Sequence, residues 1–311
     1  MKKILITAVG GDIGYGVIKA LKACGRELYI IGCDIRNYNV SHDLVDEFYI
    51  CPPYSDEEKW TGFIVDILAK GIDYFWPVTE PEIDIVRKRK DEFAGCKVIM
   101  NAENILDIAM NKEATALFLA ENGITTPKTW KKGDKPGCGF PMIVKERFGC
   151  GSHGVYVVGD ENELSLALDY VDDPIIQEYV GTPDDEYTFT VFSDGKVTNH
   201  ITFKRELGFG GMSRYVELIR DEKFAGLADK IARIFELRGS LNIQMRKEGT
   251  EYCIFEINPR ISSTIGFRYR LGFNDVAWWL DMLEGKDIPV FEQPQGVIHG
   301  VRSVEEKFYF D

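Results

Sequence analysis

Two short segments in the C-terminal third of the chain alternate apolar and polar residues. A period of two belongs to a β-strand with two different faces, and residues 247–250 form a polar turn between the segments. We therefore expect an antiparallel hairpin, preceded by a core-facing helix that the apolar spacing of residues 222–237 predicts. Cys253, Phe255 and Ile257 are expected on the apolar face of the second strand. The polar positions of the two segments are Asn242, Gln244, Arg246, Glu256 and Asn258.

The first third of the chain alternates apolar strands with amphipathic segments. An apolar run at residues 3–9 precedes a glycine-rich turn and a helical pattern, and further strands are expected at residues 28–33 and 74–78. Strands separated by helices are typical of a parallel α/β unit. We therefore predict a Rossmann-like domain over residues 1–108.

The rest of the chain predicts an α+β body that is richer in strands. A short helix is expected over residues 111–122, with Ala114, Leu117 and Phe118 facing inward. The other expected elements are strands at residues 141–145, 154–158, 175–180 and 186–192, and a charged helix at residues 160–171. The fold class is therefore α/β followed by α+β.

Composition excludes several classes of protein. The 311 residues carry a net charge of −13, so the surface repels nucleic-acid backbones and anionic lipid on average. The seven cysteines never form a C-x-x-C motif and the four histidines lie far apart, which indicates reduced thiols and no structural zinc site. The apolar run after Met1 is too short for a signal or membrane segment. We expect a soluble, cytoplasmic protein that binds neither nucleic acid nor membrane.

Four glycines, at positions 10, 11, 14 and 16, separate the first strand from the first helix. Such a turn either binds an anion or a nucleotide at the helix N-terminus or is simply a tight connection. The spacing does not match the G-x-G-x-x-G pattern of dinucleotide-binding turns. Asp34, at the end of the second strand, suits either a ribose hydroxyl or a helix cap. A nicotinamide-dependent oxidoreductase therefore remains one alternative.

A lysine at the end of an apolar strand is the first candidate for chemistry. Lys145 precedes a glycine-rich segment at residues 149–154, and a positive charge beside a flexible glycine loop suits phosphate binding. The order of the residues does not form a Walker loop.

A carboxylate on a half-buried strand is the second candidate. Glu256 shares a strand face with Asn258, and a carboxylate in that position needs a cation. The cation is either Arg260, as an ordinary salt bridge, or a hard divalent metal such as Mg²⁺. Gln244 joins this face only if the hairpin loop has an odd number of residues or the strand contains a bulge.

Taken in chain order, these motifs resemble the ATP-grasp superfamily, most closely a single ATP-grasp unit of the carbamoyl-phosphate synthase large subunit. The resemblance covers nearly the whole chain. The matching segments are the glycine turn, Asn111-Lys112, PMIVK at 141–145, the loop at 149–154, QEYVG at 177–181, Glu186, Gln244 and FEINPR at 255–260. The resemblance implies a Rossmann-like pre-ATP-grasp domain at 1–108 and two α+β subdomains at 109–180 and 181–311.

The resemblance also implies ATP and Mg²⁺, or Mn²⁺, as cofactors. Phosphate contacts would come from Lys112, Lys145, Gly149, Gly151, Ser152 and Gly154, adenine contacts from Gln177, Glu178, Tyr179 and Val180, and the ribose contact from Glu186. Metal ligands would be Gln244, Glu256 and Asn258. Arg260 and Lys145 would act at the transferred phosphate. Lys204 and Arg205 would, with Arg260, bind the substrate, although a solvated basic turn is the alternative for Lys204 and Arg205.

The reaction implied by the resemblance is phosphorylation of a carboxylate by ATP, followed by attack of an amine or similar nucleophile. The chain has room for one such unit, so we expect a stand-alone carboxylate–amine ligase acting on small molecules rather than a source of carbamoyl phosphate. Whether the chain forms a homodimer is left open by the sequence. The alternatives are an NAD(P)-dependent Rossmann oxidoreductase and a nucleotide-binding regulator without turnover.

Overall fold

The computed structural model of the chain describes residues 1–149, 154–303 and 306–309. Within these residues the strands form three sheets, which follow one another along the sequence. The sheets have five, four and six strands, and helices pack on their faces. The mixed α/β character expected from the sequence is confirmed.

The first sheet is parallel. Its strands are β1 (Lys2–Ile6), β2 (Leu28–Asp34), β3 (Glu47–Ile50), β4 (Tyr74–Trp76) and β5 (Lys97–Val98), in the order β3-β2-β1-β4-β5. The helices of this part of the chain are α1 (Asp12–Ala23), α2 (Glu57–Leu68), α3 (Glu80–Lys88) and α4 (Glu103–Ala109). Strand β4 ends just before Glu80, so the first residue of α3 lies at the carboxyl edge of the sheet.

The glycine turn before α1 is held by Asp34. One carboxylate oxygen of Asp34 accepts a hydrogen bond of 2.8 Å from the backbone amide of Gly10, and the other accepts one from the amide of Arg36. A Cβ on Gly14 would lie 2.5 Å from the carbonyl oxygen of Ala8. The turn therefore has the geometry of a tight strand-to-helix connection, and Asp34 is already engaged in it.

The second sheet is antiparallel and smaller. Its strands are β6 (Thr129–Lys131), β7 (Met142–Glu146), β8 (Tyr156–Val158) and β9 (Pro174–Glu178), in the order β6-β9-β7-β8. Two helices belong to this region, α5 (Lys112–Glu121) and α6 (Glu161–Tyr170). Helix α6 confirms the predicted helix at 160–171.

Helix α5 begins where expected, but it presents a different face. The side chain of Asn111 accepts hydrogen bonds from two amides of the first turn. Leu117, predicted to face inward, is 56% exposed, and that prediction was wrong. The helix instead buries Lys112 together with the residues three, four and seven positions further along, which share its face. Those residues are Thr115, Ala116 and Leu119.

The third sheet holds most of the polar residues singled out from the sequence. Its strands are β10 (Glu186–Ser193), β11 (Thr198–Leu207), β12 (Ser213–Leu218), β13 (Gly239–Glu248), β14 (Glu251–Asn258) and β15 (His299–Val301), in the order β14-β13-β10-β11-β12-β15. The helices are α7 (Lys223–Ile234), α8 (Ile265–Arg268) and α9 (Asp275–Leu283). Helix α7 confirms the predicted core-facing helix, because Phe224, Ala228 and Ile231 are buried in the cluster on the apolar face of the sheet.

The hairpin of β13 and β14 contains a register shift. Gln244 lies opposite Glu256 and Asn242 opposite Asn258, but Met245 pairs with Ile254, so one residue of β14 is extra. That residue is Phe255. The bulge meets the condition under which Gln244 and Glu256 share a face. It also corrects the expected apolar face, because Phe255 lines the polar side of the sheet while Ile254 and Ile257 join the core.

A fully buried ion pair fixes the segment that follows β14. The guanidinium of Arg268 donates to both oxygens of Asp275, each at 2.9 Å, and both side chains have zero exposure. Arg268 also donates to the hydroxyl groups of Ser262 and Thr264, and Asp275 accepts from Ser240. The pair therefore ties α8 and α9 to β13 and to the loop beyond β14.

We predict that Asp275→Ala lowers the free energy of unfolding by about 3–5 kcal/mol, because it leaves the Arg268 charge buried without a partner. Urea unfolding followed by circular dichroism would measure this. Lys88→Ala is the control, since Lys88 is 61% exposed in its pair with Asp84 and its loss should cost less than about 1 kcal/mol. Equal losses in the two variants would contradict the prediction.

Candidate active site

A cleft lies between the second and third sheets. One wall comes from β7 and β9, with Ile143, Lys145, Gln177 and Glu178, and the other comes from β10, β11, β13 and β14. The residues of the second wall include Glu186, Arg205, Leu207, Gln244, Arg246, Phe255 and Glu256, and Lys112 and Gly149 lie at one end. The two predicted lysines, Lys112 and Lys145, and the predicted carboxylates Glu186 and Glu256 therefore line the same cleft.

Two buried lysines provide positive charge in the cleft. The Nζ atom of Lys112 contacts the carbonyl oxygen of Gly149, and the Nζ atom of Lys145 donates to the carbonyl oxygen of Phe255 at 3.3 Å. Burial lowers the pKa of Lys145 to about 8; Glu256 opposes this change, and Lys112 and Arg246 add to it. Within the described residues both ammonium groups donate hydrogen bonds only to carbonyl oxygens, so an anion in the cleft would supply a negatively charged partner.

Glu186 is buried between two arginines. Arg205 donates to one of its carboxylate oxygens at 2.7 Å, and Arg246 donates to the other at 3.0 Å. The side chains of Glu186 and Arg205 are 5% and 6% exposed. Arg246 also lies over the rings of Tyr179 and Phe255, each 5.6 Å from the guanidinium carbon. This network forms the floor of the cleft.

Glu256 is not the salt-bridge partner of Arg260. Arg260 instead donates to the amide oxygen of Asn258 at 2.8 Å and pairs with Glu80 at 3.2 Å. Neither Glu256 nor Gln244 forms a side-chain hydrogen bond or ion pair with any described residue. The sequence left two interpretations of Glu256 open, a salt bridge to Arg260 or a metal ligand. The salt bridge is wrong, and the carboxylate of Glu256 is open to the cleft.

Glu80 is a site residue that sequence reasoning missed. It reaches Arg260 from the start of α3, in the first third of the chain, and its side chain is 12% exposed. Burial raises the pKa of Glu80, and the neighbouring Arg260 opposes that shift. The only signal in the sequence was the position of Glu80 directly after a buried strand.

The donor atoms near Glu256 suit a hard cation with few protein ligands. Among the described residues, no three His, Cys, Asp or Glu side chains come together in a metal-binding cluster. Glu256, without a protein partner, lies opposite Gln244, and Mg²⁺ commonly takes one or two carboxylates with phosphate oxygens and water. The set therefore fits Mg²⁺ held jointly by the protein and a bound phosphate.

The other end of the cleft is apolar. Its lining includes Pro127, Ile143, Val155, Val180 and Leu207. The chain leaves β9 at Tyr179, and in the described residues the backbone amides of Tyr179 and Val180 form no hydrogen bond. Free backbone groups between apolar walls suit a flat heteroaromatic ring. The side chain of Gln177, by contrast, donates to Thr129 at 3.0 Å.

The remaining predicted residues divide into three groups. Lys204 leaves β11 on the opposite face from Arg205, pairs with Asp185 at 2.8 Å, and does not line the cleft, so the two residues do not form a joint clamp. Gly154 has a φ of +67° and lies in a turn two residues before β8. Gly151 and Ser152 lie outside the described residues.

An inner pocket adjoins the cleft and shares Arg205, Gln244 and Glu256 with it. The remaining lining comes from α1, the third sheet, and the loops at residues 210–212 and 262–264. The polar side chains that line this pocket but not the cleft are Asp12, Thr188, Asn242, Asn258, Arg260, Ser262, Ser263 and Thr264. The unpaired Glu256 therefore separates the cleft from a second polar space.

The sequence model of the ATP-grasp domain matches residues 109–264, about half of the chain. The chain therefore belongs to the ATP-grasp family. The matched range contains both walls of the cleft, from Lys112 to Arg260. In the described residues, no helix is long and apolar enough to cross a membrane.

Individual proteins similar to this chain share little sequence identity with it. The carbamoyl phosphate synthase large chain of Campylobacter jejuni is 27% identical over 86% of this chain, which spans only 27% of that protein. Among solved structures, an L-amino acid ligase from Bacillus licheniformis has a TM-score of 0.72 at 15% identity, covering 91% of this chain and 74% of that chain. The biotin carboxylase domain of a Hydrogenobacter thermophilus 2-oxoglutarate carboxylase, solved with MgADP, ADP and bicarbonate, has a TM-score of 0.75 at 17% identity, covering 94% and 71%.

We predict that two carboxylate substitutions in the cleft differ strongly in their effect on stability. Glu186→Ala should lower the free energy of unfolding by about 3–5 kcal/mol, because it leaves Arg205 buried and unpaired. Glu256→Ala removes no hydrogen bond and should change that free energy by less than about 1 kcal/mol. Urea denaturation of both variants beside the parent protein would measure the difference. A large loss in Glu256→Ala would mean that Glu256 is a structural residue.

Proposed function

We propose that the protein is an ATP-dependent carboxylate ligase of the ATP-grasp family. The observation that carries the proposal is the meeting of Lys112, Lys145 and the unpaired Glu256 at one end of a cleft whose other end is apolar. Such a gradient from apolar to charged matches a nucleotide, which has a flat base and a polyanionic tail. The similarity to ligases and to a carboxylase in fold agrees with this function.

The nucleotide would lie along the cleft. The backbone of residues 177–180 holds the adenine edge, and Ile143, Val180 and Leu207 provide its apolar walls. Glu186 remains the ribose-binding candidate, with one qualification: both of its oxygens are already bonded to arginines, so the ribose hydroxyls share them. Lys112, Lys145 and the loop at residues 149–154 contact the phosphates.

Glu256, with the amide oxygens of Gln244 and Asn258, would hold one or two Mg²⁺ or Mn²⁺ ions. When bound, the metal supplies charge stabilisation at the phosphate oxygens. Lys145 and Arg260 orient and neutralise the transferring phosphoryl group, and positioning of this kind accounts for most phosphoryl-transfer catalysis. Of the two adjacent residues predicted to bind the substrate, only Arg205 lines both the cleft and the inner pocket. We therefore no longer assign a substrate contact to Lys204.

The reaction would proceed in two displacements. An oxygen of the substrate carboxylate attacks the γ-phosphorus of ATP, the bond to the bridging oxygen breaks, and ADP leaves with its electron pair. The amine then attacks the carbonyl carbon of the acyl phosphate, phosphate leaves with the carbon–oxygen electron pair, and the nitrogen loses a proton. Carbon–nitrogen bond formation with ADP and phosphate as by-products is the result.

Finer features of the molecule belong to the same proposal. We assign residues 1–108 to a Rossmann-like pre-ATP-grasp domain, supported by the parallel strand order β3-β2-β1-β4-β5, and residues 109–180 and 181–311 to the two subdomains. Small-molecule substrates, a homodimer and a cytoplasmic location are part of the proposal, and the net charge of −13 argues against nucleic acid as a partner.

The two alternatives are less well supported. A nicotinamide-dependent oxidoreductase requires Asp34 for a ribose, but its carboxylate is occupied by the backbone of the glycine turn. A regulator without turnover has no need for Glu256 to stay unpaired beside two lysines.

We predict that ATP raises the melting temperature much more with Mg²⁺ than with a chelator, because Glu256 and the triphosphate repel each other without the metal. Differential scanning fluorimetry would measure the shifts. Glu256→Ala should lose the difference between Mg²⁺ and chelator, and Lys145→Ala should weaken the shift in both. Lys204→Ala, whose side chain lies outside the cleft, is the control and should behave as the parent protein.

We further predict that hydroxylamine traps the acyl phosphate as a hydroxamate, detectable by mass spectrometry in a screen of carboxylic acids with Mg·ATP. Lys145→Ala and Arg260→Ala should reduce hydroxamate formation by about 10²–10³-fold, as losing one charge at a developing anion does. Formation of AMP and pyrophosphate would contradict γ-phosphoryl transfer, and NAD(P)H oxidation without nucleotide cleavage would favour the oxidoreductase.

A further inference from the structure

A third cavity, larger than the cleft, lies between the first helix and the third sheet. Its volume is about 690 Å³, within the range of small-molecule sites. One wall is the face of α1 that carries Asp12, Tyr15 and Lys19. The others are the segment from Gly266 to Leu271, which includes most of α8, and the chain from Ile298 to Ser303. We call it the basic cavity because four basic side chains line it, those of Lys19, Arg270, Arg302 and Lys307.

Three of its basic side chains have no acidic partner. The ammonium of Lys19 donates to the hydroxyl of Tyr15 at 3.2 Å, and Arg270 donates to the hydroxyl of Tyr269. Arg302 donates to the carbonyl oxygens of Ser213 and Ser263. None of the three forms an ion pair with a carboxylate of the described chain.

The position of these three cations carries more weight than their lack of an ion pair, because the exposed Lys22 of the same helix forms no ion pair in the described chain either. The fourth basic residue of the cavity, Lys307, does have an acidic neighbour and lies 3.7 Å from Asp43. Three unpaired cations around one concave space indicate a site for an anion rather than a solvated surface.

The basic cavity adjoins the candidate active site. Asp12 and Met212 line both the basic cavity and the inner pocket, and the inner pocket shares Glu256 with the cleft. A molecule in the basic cavity would therefore lie next to the pocket that borders the reacting end of the nucleotide. Lys19 and Arg270 line only the basic cavity, whereas Arg302 lies close to the inner pocket through its hydrogen bonds to Ser213 and Ser263.

Asp12 gives the bound molecule a direction. Its Oδ2 atom is buried and accepts no hydrogen bond in the described chain. Asp12 and Lys19 are seven residues apart on one face of α1, about 10 Å along the helix axis. A carboxylate oxygen without a donor at the shared boundary, and the ammonium of Lys19 about two turns away, suit a molecule with an amine at one end and acid groups at the other.

We propose that the basic cavity binds the nucleophilic substrate, and that this substrate is an anionic amine: a small primary amine with carboxylate or phosphate groups at its far end. The acid groups contact Lys19, Arg270 and Arg302, and the amine lies next to Asp12. This inference rests on the proposed ligase function, and it adds the substrate class and the residues that select it.

The test measures binding in the absence of nucleotide. Glutamate and O-phosphoserine are the anionic probes, one for each type of acid group, and glutamine and lysine are the neutral and cationic controls. Isothermal titration at low and high salt should show binding of at least one anionic probe, weaker at high salt, and at least tenfold weaker binding of glutamine. Equal affinity for glutamate, O-phosphoserine and glutamine would overturn the proposal.

Substitutions locate the site. Lys19→Ala and Arg270→Ala should each weaken binding of the anionic probe by about 10–100-fold, the usual loss for a hydrogen bond to a charged group. Lys22→Ala is the matched control, because Lys22 is exposed on the same helix and does not line the cavity, and it should bind as the parent protein does. A similar loss in Lys22→Ala would mean binding by general surface charge and would overturn the proposal.

The thermal shift with Mg·ATP separates this inference from the function on which it rests. Both cavity variants should keep the full shift, which also shows that they fold. A normal Mg·ATP shift with no binding of any anionic amine would overturn the substrate assignment alone. If Mg·ATP causes no thermal shift in the parent protein, the ligase proposal itself is overturned.

Discussion

The site depends on one extra residue in strand β14. Without the bulge at Phe255, the register between Met245 and Ile254 would continue, and Glu256 would lie opposite Ile243. Paired residues point to the same face, so Glu256 would then enter the apolar core under α7. The bulge brings Glu256 opposite Gln244 instead. The placement of Glu256 and Asn258 on the polar face of the third sheet, and with it the carboxylate open to the cleft, follows from this single shift.

Charge distribution is the second constraint on the site. The protein is strongly acidic overall, yet the cleft concentrates Lys112, Lys145, Arg205 and Arg246 against the carboxylates Glu186 and Glu256. Glu186 neutralises the two arginines through four hydrogen bonds, which keeps their guanidinium groups fixed. The lysines have hydrogen bonds only to carbonyl oxygens of the described residues. Burial, with the nearby charges of Lys112 and Arg246, lowers the pKa of Lys145, which marks the part of the cleft where a bound anion would be stabilised most.

Local sequence patterns predicted the elements well but not the contacts between distant segments. The helix cap at Asn111, the face of α7 and the alternation of β13 depend on neighbours within a few residues, so their periods are visible in the sequence. Glu80 meets Arg260 across 180 positions, and no local pattern encodes that contact. Lys204 and Arg205 were grouped because they are adjacent in sequence, but adjacent residues of a strand face opposite ways. The motif resemblance supplied long-range information that periodicity alone lacks.

The N-terminal glycines allow close packing of helix α1, although their sequence first suggests a nucleotide-binding turn. A side chain at Gly14 would collide with the turn, and a Cβ at Gly16 would lie 2.4 Å from a methyl group of Ile265 in α8. The glycines therefore let α1 approach both its own turn and helix α8. That approach places Asp12 at the boundary between the inner pocket and the basic cavity. A motif that resembles a nucleotide turn thus brings the first third of the chain to the inner pocket, while the apolar, backbone-lined end of the cleft is built by residues 127–207.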